Sequence, residues 1–61
     1  MKVGDLVKYA HYEDLGLVGL VFGVEHSRPS SPWHDYVHVR FHDGSEVRER
    51  STYFEVISEA G

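Results

Sequence analysis

The chain has 61 residues, ten acidic and six basic side chains, a net charge of −4 and no cysteine. This length supports one domain with a thin core, which neither disulfides nor thiolate metal sites can reinforce. No apolar run reaches the ~20 residues that a membrane span needs, and the Met1-Lys2 start has no signal-peptide pattern, so we expect a cytoplasmic protein without a membrane partner. The acidic balance weighs against generic affinity for nucleic acid.

The first half of the chain contains two predicted strands. Residues 1–9 are a predicted strand entered through a Gly-Asp step, with Val7 and Tyr9 on one face and Leu6 and Lys8 on the other. Residues 16–26 are the most apolar part and contain three glycines, which are usual where a strand bends or bulges. Val21 and Val24 cannot lie on one face of a regular strand, so this strand should contain a bulge or a coil. Two segments without a regular period are predicted loops: 10–15 and 27–33.

Residues 35–50 have the most regular pattern, that of a β-hairpin. Apolar and polar side chains alternate from Tyr36 to His42, and an Asp-Gly turn follows. A two-residue loop would mix the apolar and polar faces. A three-residue loop, with Gly44 left-handed in a bulge, pairs apolar with apolar and sets Arg40 against Glu46, so we predict that register.

After a predicted break at 51–53, which one 3₁₀ turn would fit, the last strand spans 54–58 and residues 59–61 form a frayed tail. Five short strands with this order of loop lengths predict an all-β fold, a small five-stranded SH3-like barrel over residues 1–58. Glu49 shares a face with Val47, so either the strand ends there or the carboxylate lies at the barrel rim. The predicted core residues are Val7, Tyr9, Val18, Leu20, Val21, Val37, Val39, Phe41, Val47, Phe54 and Val56.

Four segments, KVGDLVKY, GLVGLV, VRFHDG and FEVIS, resemble a group of short, uncharacterised SH3-like proteins of tailed phages, notably marine ones. The resemblance implies a viral accessory protein in the cytoplasm of a host cell, and it carries no known activity. The Gly-Asp entry and glycine-rich second strand are also similar to KOW and Tudor-type barrels of ribosomal and transcription proteins. The basic balance of the RNA-binding members of those groups is missing here.

The sequence predicts no catalytic, metal or cofactor site. His34, His38 and His42 are spaced by four, which on a strand separates neighbours by about 13 Å, too far to share one ion. The chain contains no nucleophile elbow, no phosphate-cradling glycine loop and no metal motif. We therefore expect a protein that is not an enzyme.

Aromatic residues give the first functional hypothesis. Tyr12, Trp33, Tyr36 and Tyr53 occupy positions that converge, in an SH3-like barrel, around a groove for proline-rich peptides. The alternative is that Trp33 covers an open end of the core while the tyrosines are half-buried. The predicted partner is a protein, and a homodimer through this patch or an edge strand is the other option.

The outward face of the hairpin gives the alternative hypothesis, a nucleic-acid-binding barrel. Arg40, Arg48, Arg50 and His38 would contact phosphates, and Tyr36 would stack on a base. The same residues also fit an ordinary solvated sheet face with cross-strand charge pairs. The net charge favours that second interpretation.

Overall fold

The computed structural model describes residues 1–11, 17–26 and 35–60. They form five strands, with a 3₁₀ turn at Ser51–Tyr53 between the last two. The strands are β1 (Leu6–Tyr9), β2 (Gly19–Glu25), β3 (Tyr36–Phe41), β4 (Glu46–Arg50) and β5 (Phe54–Ser58). The all-β prediction is confirmed, as is the 54–58 strand.

All strands pair antiparallel in one sheet with the order β4-β3-β2-β1-β5. The last strand therefore returns to lie beside the first. Within the described ranges no pairing joins β4 to β5, so the sheet is not closed and these two strands are its edges.

The first strand is shorter than predicted because residues 2–5 form a turn instead. The buried Asp5 accepts a hydrogen bond from the Lys2 amide at 3.0 Å. It also accepts one from the Ala60 amide at 2.7 Å, and both hydrogen bonds lower the pKa of this carboxyl. Asp5 thus connects the first turn to the end of the chain.

The hairpin between β3 and β4 has the predicted register. Gly44 has a φ of 90°, a conformation that glycine adopts without steric cost. Its amide donates to the Phe41 carbonyl at 2.9 Å, and the Phe41 amide donates to the Ser45 carbonyl at 2.8 Å. Arg40 lies opposite Glu46, as the three-residue loop requires.

The predicted bulge in β2 is present as a register shift between Val21 and Gly23. The pairing before this shift brings β2 very close to β3. A Cβ atom added to Gly19 would overlap with Val39 Cγ1 and would lie 3.1 Å from the ring of Phe41. A larger residue at position 19 would therefore displace the core.

The core is smaller than the sequence suggested. Six apolar side chains are buried in the part of the chain that the structure describes: Val7, Val21, Val37, Val39, Phe41 and Phe54. Tyr9 and Val47 pack against them and are only partly buried. The prediction of a core position is wrong for three residues: Val18 is 41% exposed, Leu20 is 45% exposed and Val56 is 38% exposed. Val18 precedes β2, Leu20 is adjacent to the inward-facing Val21 and so lies on the other face, and Val56 lies on an edge strand.

Aromatic rings connect β3 to β5 across this core. The ring centroids of Phe41 and Phe54 are 6.5 Å apart. The ring of Tyr9 contacts both, with centroids 5.6 Å from Phe41 and 4.7 Å from Phe54. The sheet therefore curves until side chains of its third and fifth strands meet.

Candidate functional site

The candidate site lies where β4 ends and the 3₁₀ turn begins. Tyr36 at the start of β3 pairs with Arg50 at the end of β4. The 3₁₀ turn is held at this end by the Ser51 amide, which donates to the Asp35 carbonyl at 3.0 Å. The carbonyl of Tyr53 accepts from the amide of residue 10 at 2.9 Å. These contacts bring two tyrosines and the end of β4 to one corner of the sheet.

A pocket of about 360 Å³ occupies this corner. Tyr36 and Tyr53 line it, and both were predicted to belong to an aromatic patch. Arg48 and Arg50 line it too, although the sequence assigned them to a separate, cationic surface. The structure therefore combines parts of the two hypotheses in one pocket. The pocket residues are Tyr36, Arg48, Glu49, Arg50 and Tyr53.

Arg48 is held by an acidic partner two strands away. Its guanidinium donates to both carboxylate oxygens of Glu25, with a distance of 3.1 Å between Nη2 and Oε1. It also lies over the ring of Tyr36, 4.1 Å from the centroid, in a cation–π contact. The hydrogen bonds that Arg48 donates to Glu25 raise the pKa of Arg48. The charge of Arg48 is thus matched within the protein.

Glu25 also accepts a hydrogen bond from His38, with 2.6 Å between Nε2 and Oε2. The hydrogen bonds from Arg48 and then from His38 lower the pKa of Glu25 to about 2. The Glu25 carboxylate therefore binds both Arg48 and His38, two of the four residues predicted to contact phosphates.

Arg40, a third member of that predicted surface, has its own partner. Its Nε donates to Glu46 Oε2 at 2.8 Å, as the hairpin register predicts. The guanidinium also lies 5.5 Å from the ring centroid of Phe22. Arg40 and His38 do not line the pocket.

Arg50 differs from these residues. The side chain of Tyr36 accepts a hydrogen bond from it, which raises the pKa of Arg50. Within residues 1–11, 17–26 and 35–60, no carboxylate forms an ion pair with Arg50. Its charge is therefore not matched by an acid in this part of the chain.

Glu49 is the remaining charged group of the pocket. Strand β4 continues past it to Arg50, and its side chain is half-buried opposite Val37, at the rim of the core. Its Oε2 atom is buried and has no hydrogen-bond partner among the described residues. An unpaired buried oxygen lowers the stability of the folded state.

Two of the four predicted aromatic residues, Tyr36 and Tyr53, are thus brought together. Tyr12 and Trp33 lie outside the described residues. The sequence interpretation missed Glu25, whose only signal was a single acid in an apolar strand. It also missed an apolar depression of about 340 Å³ on the outer face, lined in part by Leu6, Val18 and Leu20.

No three His, Asp or Glu side chains in the described ranges are arranged to hold a metal ion. The same part of the chain contains no helix long and apolar enough to cross a bilayer. Comparisons with protein-family models, with curated proteins and with solved structures found no significant match.

Proposed function

We propose that the chain is a small, non-enzymatic protein-interaction module, built as an SH3-like barrel, that binds a peptide segment of a partner protein at the Tyr36–Tyr53 pocket. The observation that carries this proposal is the convergence of two tyrosines from distant elements on one open pocket. Aromatic side chains with an apolar body and a polar end are the residues that protein interfaces favour.

The SH3-like architecture is supported by the strand order. The fifth strand pairs with the first, the second strand is bulged, and a 3₁₀ turn separates the fourth and fifth strands. These features accompany a curved sheet whose β3 and β5 rings meet. The resemblance to phage proteins adds to this proposal that the chain is an accessory protein acting in the cytoplasm of a host cell.

The size of the pocket suits a peptide side chain better than a whole small-molecule substrate. Its volume of about 360 Å³ is at the lower end of the roughly 300–1,000 Å³ of small-molecule sites. Its ionisable side chains are two arginines, two tyrosines and one glutamate. These groups provide stacking surface and hydrogen bonds, which is the chemistry of recognition.

Nucleic-acid binding through the hairpin face is the second proposal, and the charge pairs weigh against it. Arg40 is paired with Glu46, and Arg48 and His38 share Glu25. A phosphate would have to displace these carboxylates, on a chain whose net charge is −4. Of the four residues predicted to contact phosphates, Arg50 is the one without an acidic partner among the described residues.

Amide NMR of the isotope-labelled chain tests both proposals. The ligands are a proline-rich, an acidic and a basic peptide, together with mixed-sequence single-stranded DNA, at low ionic strength. We expect one peptide to shift the amides of Tyr36, residues 48–50 and Tyr53. The shifts should disappear in Tyr53→Ala and persist in Ile57→Ala, a matched change, since the two side chains are 48% and 50% exposed.

A spectrum that no peptide changes would contradict the interaction module. Shifts with DNA centred on Arg40 and Arg48, which vanish as salt is added, would establish the second proposal instead.

A further inference from the structure

We infer that the pocket selects an acidic side chain on an extended peptide segment, and that Arg50 is the group that recognises it. This inference rests on the proposed function and goes beyond it, because it assigns the chemistry of the ligand. It starts from the arginines of the hairpin face. Arg40 and Arg48 each have a carboxylate partner, whereas Arg50 has none within the described ranges.

The guanidinium of Arg50 is prepared for a carboxylate. A guanidinium has five N–H donors in a planar fork, and the side chain of Tyr36 uses only part of that capacity. The remaining donors suit the two oxygens of a carboxylate, which form short, charge-assisted hydrogen bonds with arginine. Tyr36 is the β3 residue opposite Arg50, so the two side chains lie on the same face of the sheet.

The aromatic side chains add contact area beside Arg50. Tyr36 and Tyr53 line the same open pocket. Aromatic side chains with a polar end are favoured at protein interfaces. They provide apolar contact for the residues that flank the acid.

The edge of the sheet indicates an extended peptide as the carrier of the acid. β4 is an edge strand, so its outer side pairs with no described strand. An extended segment can lie along such an edge and form main-chain hydrogen bonds while its side chains select the site. A free anion has no main chain to pair with this edge.

The charge of the whole chain is compatible with this ligand. A polyanion would meet the net charge of −4 along its length, whereas one or two carboxylates meet mainly the local field of Arg50. Repulsion from distant charges is screened beyond a Debye length of about 8–10 Å in ordinary buffer. The site therefore favours a short acidic segment over nucleic acid.

The test compares two capped peptides of the same length, Ac-TDVEVDT-NH2 and its uncharged analogue Ac-TNVQVNT-NH2, by NMR titration with the intact chain. We expect the acidic peptide to bind at the pocket amides and the analogue to bind at least tenfold more weakly. Arg50→Gln should weaken binding of the acidic peptide about 10- to 100-fold, the range for hydrogen bonds to a charged group. Arg50→Lys, which keeps the charge and loses the fork, should give an intermediate value.

The matched control is Arg40→Gln, which removes a paired arginine on the same face and should change the affinity by less than about twofold. Unchanged chemical-shift dispersion in each variant verifies that it folds. Equal binding of the two peptides, with loss in Tyr53→Ala, would overturn the acidic selectivity and leave the interaction module standing. Absence of binding by any peptide would instead remove the proposed function and this inference together.

Three further outcomes would overturn the inference. Acidic-peptide binding that survives Arg50→Gln would show that another group recognises the acid. Inorganic phosphate that shifts the same amides as strongly as the peptide does would show an unselective anion site. Shifts at the pocket that grow with protein concentration, without any peptide, would show that a second copy of the chain fills it.

Discussion

Glu25 on β2 and Arg48 on β4 form a two-point ion pair that crosses over β3, and they are 23 positions apart in the sequence. The pair joins the edge strand to the interior of the sheet. It also matches the charge of Arg48, which would otherwise be available to a phosphate. The same contact thus contributes to the sheet and limits what its outer face can bind.

The pH dependence of stability should reveal this pair. Arg48 and His38 lower the pKa of Glu25 from 4.5 to about 2. Between these two values the unfolded chain binds a proton at Glu25 and the folded chain does not, so acid favours unfolding across that window. The stabilisation by ionised Glu25 is complete above pH 4.5 and is lost as the pH falls towards 2. We expect Glu25→Gln to flatten the decline of the thermal midpoint over this window.

The decline should not vanish in that variant. Asp5 and Asp43 also have lowered pKa values, because backbone amides donate to Asp5 and Ser45 donates to Asp43. The control is Glu46→Gln, which removes a half-exposed carboxylate from the same hairpin and should keep the acid dependence of the parent. Identical pH profiles for Glu25→Gln and the parent would mean that the ion pair does not persist in solution. Because both partners are about half exposed, salt should also weaken it.

Close packing at Gly19 gives a second prediction. Gly19→Ala places a Cβ atom into Val39 Cγ1, and overpacking of this kind costs about 1–3 kcal/mol. Val39→Ala removes the obstructing methyl groups at the cost of a cavity. The double variant should therefore be more stable than the sum of the two single effects indicates, as measured by urea unfolding. Strict additivity would show that β2 and β3 are farther apart than described.

The bulge in β2 explains why the contacts of Glu25 could not be predicted from the sequence. Val21 faces the core, and a regular strand would then place Glu25 inward and Val24 outward. Phe22 is the extra residue in the observed register, so Val24 packs against the core and Glu25 lies opposite Tyr36. The incompatible positions of Val21 and Val24 predicted a bulge. Its position, which decides what Glu25 contacts, depends on the pairing with β3.

For the hairpin, local sequence patterns were sufficient to predict the structure. The hairpin register followed from the alternation of side chains and a Gly at the turn, because both act over a few residues. The exposure of Leu20 and Val56 depends on which faces and edges distant strands cover, and apolar character alone does not encode that. The meeting of Tyr36 with Tyr53 needs the complete path of the chain through β4 and the 3₁₀ turn.

Phe54 provides a third prediction, about the size of the core. It is 5% exposed and its ring contacts both Tyr9 and Phe41. Phe54→Ala should cost about 3–5 kcal/mol. The total stability expected for a domain of this length is about 3–9 kcal/mol, so the variant should be close to unfolded at room temperature. Ile57→Ala on the same strand, 50% exposed, is the control and should stay folded by circular dichroism and urea titration.

Glu49 provides the last prediction, in which stability changes and binding does not. Its Oε2 is buried without a described partner, and burying an unmatched carboxylate oxygen is unfavourable. Glu49→Gln removes the charge with little change of shape, so we expect a higher thermal midpoint. Because Glu49 lies opposite Val37, on the face of β4 away from Arg50, the same variant should leave the affinity for the acidic peptide unchanged. Glu46→Gln, which removes an exposed and paired carboxylate, is the control and should not raise the midpoint. A Glu49→Gln variant that is less stable than the parent would mean that Glu49 has a donor in solution.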